Sequence, residues 1–338
     1  MYQKKKIQVL YLLLLAATLV ATIFLSLSIG EISIPLGKLP QIIADRGSTE
    51  HDVLFYIRIP RTLLGFAIGG SLSLAGAILQ GIYRNPLVEP YTLGISGGAS
   101  LGVTFAIVAG LNLHNLLFLP LAGFIGAFST LFLVYTLSLK GGSLNVNRML
   151  LIGVMISFIS SSFIMLLMSV TGAENLHGIV FWTMGSLNGS NGVMIGAMVT
   201  LSIICLLVTY LFVTPLNALR LGEEKARHLG INANATIRIL FIITSLLTGA
   251  CIAVAGVIGF VGLVIPHMVR LFVGSDYRTV LISSFLSGSL FLILCDIIAR
   301  IIIAPNELPI GVITGIAGGV VFIVLLSRSQ KRSKLLQG

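Results

Sequence analysis

Ten stretches of this sequence are apolar over roughly the length of a bilayer, and nothing else in it limits the fold as strongly. A spanning helix takes about 20 mostly apolar residues. The candidate spans are 7–29, 61–82, 92–110, 116–138, 149–170, 192–213, 236–255, 257–272, 279–302 and 310–327. They predict an all-α membrane protein of about ten transmembrane helices, forming a single domain over 1–338. The span at 257–272 is short and contains Pro266, so a broken helix is expected there. Composition agrees: 9% of residues are charged and mean hydropathy is +1.05, against about 25% charged residues in a soluble domain.

The N-terminus has a signal-like pattern of three lysines followed by an apolar run. That run, Ile7 to Ile29, is longer than an ordinary signal core and no small-residue cleavage site follows. It reads as an uncleaved first span. With ten spans both termini share a side, and the loop charges say which. Placing the N-terminus inside puts 16 of the 21 Lys and Arg in inner loops and tails. The outer five are Lys38, Arg46, Arg58, Arg61 and Arg300. This asymmetry predicts N-in and C-in. It also accounts for the net charge of +10 without nucleic acid, since the basic residues are scattered and not interleaved with aromatics.

Two outer loops are long. Residues 30–57 carry Glu31, Asp45, Glu50 and Asp52. Residues 171–191 contain "HGIVFWTMGSLNG" with the single tryptophan, Trp182, and suggest a short helix at the membrane surface. Small residues cluster in "GFAIGGSLSLAGA", "GISGGASLG" and "GIAGGV", where helices can pack with close backbones. Cys205, Cys251 and Cys295 lie in apolar runs without metal-ligand spacing and read as buried free thiols. A weak internal repeat sets 58–90 against 238–270, pairing Gly76 with Gly256 and Pro86 with Pro266. Its copies begin five spans apart, so spans 2–5 and 7–10 would be inverted relative to each other, a common transporter plan.

Four charged or polar stretches remain. The first is "NALRLGEEKARHLGINANATIR", residues 217–238, within an expected cytoplasmic segment at 214–235. Acids precede bases, as a helix dipole favours. Glu223 and Arg227 form an i, i+4 pair, and Gly230 supplies a stop. Ala226, Leu229 and Ile231 are expected to share one apolar face. A helix this short needs something packed on it, so it reads either as a solvated connection or as a docking site for a cytoplasmic partner. The second is "RIPRTLLGF". Here Arg58 and Arg61 stand at an outer helix mouth, as snorkelling anchors or as a receptor for acidic groups. The third is "DIIARIIIAPNELPIG". In it Asp296 and Arg300 are spaced i, i+4, as a structural pair or with Arg300 facing outward beside the other two arginines. The fourth is "YRNPLVEP", where Asn85 and Leu87 could close the inner end of a pathway. No phosphate loop of the form G-x-x-x-x-G-K-[ST] occurs, nor any nucleophile–base or metal motif.

Taken together, "RIPRTLLGF…LAGAILQGIYRNPLVEPYTLGISGGASLG", "LGEEKARHLGIN", "AVAGVIGFVGLVIPHMVRLFVG" and "DIIARIIIAPNELPIGVITGIAGG" resemble the FecCD-type permeases, membrane subunits of ABC importers for iron chelates and vitamin B12. The resemblance covers nearly the whole chain. It implies a non-enzymatic transport subunit of a bacterial or archaeal plasma membrane, paired with a second copy of itself or a paralogue. ATP and magnesium would be bound by two separate cytoplasmic ATPases, docked through Leu221, Glu223, Glu224, Ala226, Arg227 and Leu229. A substrate-binding protein would meet Arg58, Arg61 and Arg300. The inner gate would fall at Asn85, Leu87, Val146 and Asn147, although "NVNR" stands where the vitamin B12 permease has small hydroxyl residues. A ferric siderophore is the implied cargo, with haem and cobalamin as alternatives; an ion-coupled secondary carrier is the competing reading.

Overall fold

The computed structural model describes residues 2–30, 32–111, 117–140, 143–188, 191–303 and 306–335; Glu31 lies outside them. The helices are α1 (Tyr2–Ser28), α2 (Leu39–Ala44), α3 (Thr49–Asp52), α4 (Ile59–Tyr83), α5 (Ile95–Val108), α6 (Phe118–Ser138), α7 (Val146–Val170), α8 (Ala173–Thr183), α9 (Gly192–Tyr210), α10 (Val213–Leu219), α11 (Glu223–His228), α12 (Ala233–Ala255), α13 (Val261–Val273), α14 (Tyr277–Ile301) and α15 (Ile310–Leu335). A two-residue antiparallel ladder joins Leu139–Lys140 to Ser143–Leu144. Seven helical segments are long and apolar enough to cross a membrane, and three shorter apolar ones complete the set at Ile95–Val108, Val261–Val273 and Ile310–Leu325. All ten coincide with stretches predicted from hydropathy.

Helix α4 is the axis of the bundle. Nearly every residue from Arg61 to Ile82 is buried, and α9, α12, α13 and α14 pack around it. Lipid tails are as apolar as leucine, so burial alone does not hold membrane helices together; close backbones and hydrogen bonds do. A Cβ on Gly76 would overlap the Gly262 carbonyl of α13, and one on Gly69 would overlap the Gly288 carbonyl of α14. By contrast α1, α6, α7 and α9 turn large apolar side chains outward, such as Leu13, Phe128, Phe158 and Leu207. The three cysteines are buried.

Three expectations need correction. Much of the 30–57 stretch is helical. Ser48 caps α3 by accepting the His51 N–H at 3.3 Å, and its acids Glu50 and Asp52 suit a first turn. A π-helical turn, Val53–Arg58, then carries the chain into α4 as one 35-residue helix, Thr49–Tyr83.

The second correction concerns the broken helix. Helix α13 runs unbroken through Pro266, and the interruption lies before it, at 256–260. Proline lacks the N–H that would bond Gly262 O, and that carbonyl instead accepts Gln80 Nε2 from α4 at 3.3 Å. In the interruption Gly256 and Phe260 have φ of +70° and +68°. Tyr91 there donates to Ile258 O and accepts from Ile258 N, both at 3.0 Å. A single hydroxyl thus satisfies two backbone groups left free inside an apolar bundle.

The third correction is to the repeat, whose residue register fails because Pro86 lies in a loop and Pro266 inside a helix. What recurs is the order of helix lengths, 25, 14, 21 and 25 residues in α4–α7 and 23, 13, 25 and 26 in α12–α15.

Candidate functional site

The polar groups gather at the two ends of the bundle. At the end assigned to the outside, Arg61, Arg300 and two carboxylates form one network, with Arg58 buried beside it. Asp296 sits one helical turn before Arg300 on α14, and α4 brings Arg61 against both. Arg61 Nε and Nη2 donate to Asp296 Oδ1 at 3.1 and 2.7 Å. Its Nη1 donates to both Glu307 oxygens at 2.6 and 2.7 Å. Arg300 Nε faces Asp296 Oδ2 at 3.1 Å, but its proton is directed to the Asp296 carbonyl at 3.3 Å, so Oδ2 gains a charge contact without an aligned hydrogen bond. Arg300 also reaches α1, donating to Ser26 Oγ at 2.8 Å and to the Ser26 and Ile29 carbonyls at 3.2 Å.

Arg58 turns the other way. It donates to the carbonyls of Leu27 and Ser28 at 2.6 and 2.9 Å, and to Ile32 O. Arg58, Arg61 and Arg300 are 2%, 5% and 6% exposed, so they do not form the open cationic face expected from "RIPR". The cation fork is planar and rich in donors, and a buried one draws in every acceptor within reach. Glu307 is the group of this network nearest the surface, its side chain 37% exposed, and Asn188 Nδ2 holds it at 2.6 Å. Burial alone would raise the Glu307 pKa, but Arg61, Asn188 and Arg300 together outweigh it and hold the carboxyl below the usual range. The loop bearing Glu307 is tied to the one after α8, with Ile310 N–H to Gly185 O at 3.2 Å and Gly311 N–H to Met184 O at 3.0 Å.

At the other end α10 and α11 divide the charged insert between them. In α10, Leu216 and Leu219 are buried in the bundle. In α11 only Ala226 is buried. The helix closes as its charge order predicts, with Gly230 N–H to Arg227 O at 2.9 Å and Ile231 N–H to Ala226 O at 3.0 Å, and Gly222 and Gly230 both take positive φ. Glu223 and Arg227 lie 3.8 Å apart and are substantially exposed. Leu221 and Leu229 are 58% and 62% exposed, while Glu224 is exposed beside them. The expected shared face of Ala226, Leu229 and Ile231 does not exist. Ala226 points into the protein and Ile231 packs on the core, so Ala226 is removed from the docking set. Helical spacing places residues around a circle, and in so short a helix the bundle claims one side of it.

The expected gate residues separate into two groups. Val146 and Asn147 open α7 and line a polar hollow of about 280 Å³ with Ile82, Tyr83, Arg84, Leu144, Asn145 and Glu223. Arg84 ends α4 in a left-handed conformation, φ 51°. Asn85 Oδ1 accepts the Leu87 N–H at 2.9 Å in the exposed turn that follows. The hollow therefore brings Val146 and Asn147 against Glu223 of α11, with Asn85 and Leu87 next to it along the chain.

A third polar group passed unnoticed in the sequence. Asn217 of α10 donates to Asp276 Oδ1 at 2.8 Å and accepts the Tyr277 N–H at 3.1 Å. Arg220 donates to Ser275 O. Tyr277, fully buried, donates to Ala77 O of α4 at 3.1 Å. Arg270 of α13 reaches Tyr277 Oη at 3.3 Å, Ala77 O at 3.2 Å and Gln80 Oε1. Burial would raise the Asp276 pKa, but its hydrogen bonds from Arg278 N–H and Asn217, with nearby arginines, bring it below the usual range. "GSDY" is a helix-start signature, Gly-Ser-Asp before an apolar periodic run, and it was the available clue. Glu307 likewise stood in plain view in "PNELP" without an assigned partner. Among the described residues no cluster of three His, Cys, Asp or Glu is placed to hold a metal ion.

Comparison with known proteins agrees with this layout. The FecCD transport family matches residues 18–328. The chain is 36% identical to the hemin transport system permease HmuU of Yersinia pestis, over 82% of this chain and 83% of that one. It is 36% identical to the vitamin B12 import system permease BtuC of Klebsiella pneumoniae, over 94% and 93%. It is 33% identical to the iron(3+)-hydroxamate import system permease FhuG of Bacillus subtilis, over 92% and 94%. A solved metal-chelate type ABC transporter in an inward-facing conformation superposes with a TM-score of 0.85 at 32% identity, covering 94% of this chain and 99% of the other. A multi-pass bundle with charged ends, matched along its length to such permeases, belongs to the FecCD transport family of ABC importer permeases of the bacterial or archaeal plasma membrane.

Proposed function

We propose that this chain is the permease subunit of an ATP-driven importer of an iron chelate, with a ferric siderophore as its cargo. It works as a pair of copies, with two separate ATPases on the α11 side and a substrate-binding protein on the Glu307 side. The observation that carries this reading is the exposed face of α11. Leu221 and Leu229 stand open to solvent on either side of α11, a charged helix held to the bundle through Ala226. A six-residue helix flanked by open leucines calls for a partner. That partner supplies the energy, and Glu223, Glu224 and Arg227 give the contact its polar rim.

At the outer end the three arginines and two carboxylates leave a net positive charge beneath the surface. Such a field steers an acidic partner, with Arg58 and Arg300 acting from below and Arg61 through the Glu307 ridge. Asn85, Leu87, Val146 and Asn147 then close the inner mouth in the state without cargo. The hydroxamate and hemin relatives support an iron chelate, and the vitamin B12 relative keeps cobalamin as the second cargo to test.

The test is reconstitution in liposomes with the ATPase and binding protein, offering a ferric hydroxamate, haem and cobalamin in turn. Uptake of the hydroxamate that needs ATP and the binding protein is the expected result. Uptake of cobalamin alone would reassign the cargo. Uptake by the permease alone under a proton or sodium gradient would replace the ATP-driven reading with a secondary carrier.

A further inference from the structure

We propose that Asn217, Asp276 and Tyr277 form the joint through which displacement of the cytoplasmic segment reaches α4 and the inner gate. The inference rests on the reading of α10 and α11 as that coupling segment. A partner pressing on α11 moves a helix with one buried residue, which cannot by itself drive the bundle. Helix α10 is different, because Leu216 and Leu219 are embedded and Asn217 grips the start of α14 with both ends of its amide. The next residue along, Tyr277, passes under α4. Gly81 has no room for a Cβ because the Tyr277 hydroxyl occupies that place, and the hydroxyl bonds Ala77 O.

From there the connection divides. Tyr277 and Ala77 both bind Arg270, Arg270 binds Gln80, and Gln80 holds the Gly262 and Leu263 carbonyls at 3.3 and 3.1 Å. These are the carbonyls at the start of α13, where Pro266 leaves one of them free. Helices α10, α14, α4 and α13 are therefore joined, and α4 ends one turn after Gln80 at Arg84, directly before Asn85 and Leu87. Asn217 and Tyr277 are positioning residues in this scheme. They do not meet the partner, and they set whether its movement is passed on.

Hydrogen exchange on the intact permease–ATPase complex, with and without ATP and vanadate, tests this without knowledge of the cargo. In the wild type, trapping should change exchange over both 221–231 and 84–94. Tyr277→Phe keeps the ring and removes the hydroxyl; Asn217→Ala removes the amide. Each should keep the response at 221–231 and weaken that at 84–94 by about fivefold, the size of one lost hydrogen bond in coupling. The double variant should fall no further than either single one, since both break the same path. A full response at 84–94 in both variants overturns the joint, and so does a lowered melting temperature with transmission intact, which makes these residues a brace only. Absence of any wild-type response at 84–94 also overturns it. Absence of a wild-type response at 221–231 defeats the coupling-segment reading instead, so the two failures are distinguishable.

Discussion

Two acid–base pairs in this protein have the same spacing and order in the sequence and opposite lives in the structure. Asp296 and Arg300 are an i, i+4 pair with side chains 1% and 5% exposed and 3.1 Å apart. Glu223 and Arg227 are also i, i+4, but 35% and 58% exposed and 3.8 Å apart. The first pair is shared with Arg61, Glu307 and Ser26 and cross-braces α1, α4, α14 and the outer loops. The second pair is bonded within its own helix, and Glu223 also lines the polar hollow beside Arg84 and Asn147. Burial decides the difference. A charge in a low-dielectric interior must be paired at nearly any cost in freedom, whereas a charge in water gains little from its partner.

The largest effect should come from removing the carboxylate at the centre of the buried network. Asp296→Ala leaves Arg61 with Glu307 alone and Arg300 with neutral oxygens. Breaking such a buried pair costs about 3–5 kcal/mol, a large share of the roughly 5–15 kcal/mol that holds an ordinary domain folded. The variant should fail to accumulate in the membrane, or melt far below the wild type in detergent. A normal melting curve would mean that the network is wetter than its burial indicates, and the contrast between the two pairs would collapse.

Glu307 is the intermediate case, because it belongs to the buried network yet reaches the surface. Glu307→Gln keeps the shape and the Asn188 contact and removes one charge. After discounting for solvent screening the loss should be about 1 kcal/mol or less. Its pH dependence is more telling. Burial pushes this carboxyl up, and Arg61, Asn188 and Arg300 together pull it below the ordinary value. A depressed native pKa gives stability that is fully present above the unfolded value, about 4.3, and is lost as pH falls through the native one. Thermal melts at descending pH should thus show an acid limb that is shallower in Glu307→Gln. Identical limbs in both proteins would mean that Glu307 is not held by Arg61 in solution.

The sequence carried the bundle well and its ends poorly. Ten apolar stretches, the capped α11 and the buried cysteines follow from hydropathy and charge order, which are local properties. The exceptions are tertiary. Pro266 suggested a break, yet α13 runs through it, since Gln80, 186 residues earlier, supplies the donor that the proline lacks. Arg58 and Arg61 looked like a single open face because their spacing is local, while their acceptors lie on α1, on α14 and at Ile32 and Glu307. Tyr277 stands between Asp276 and Arg278, ahead of the predicted span, and nothing local shows that its hydroxyl fills the place of a side chain at Gly81.

The exposed pair gives the smallest effect on stability and the sharpest test of the comparison. Glu223→Gln removes an i, i+4 pair worth about 0.3–0.5 kcal/mol, so the melting temperature should barely move, and less at high salt. Arg227→Glu with Leu229→Asp should also fold normally, because both side chains face solvent. In the assembled transporter that double variant should nevertheless abolish uptake, or uncouple ATP hydrolysis from it, by removing an apolar anchor and reversing a charge at the ATPase contact. The same reversal at Asp296 and Arg300 would never reach such an assay, because the protein would not fold. If the Arg227→Glu, Leu229→Asp variant instead transports at the wild-type rate with a normal ATPase complex, α11 is a solvated connection, and its open leucines need another occupant. The two pairs would then differ in burial alone and not in purpose.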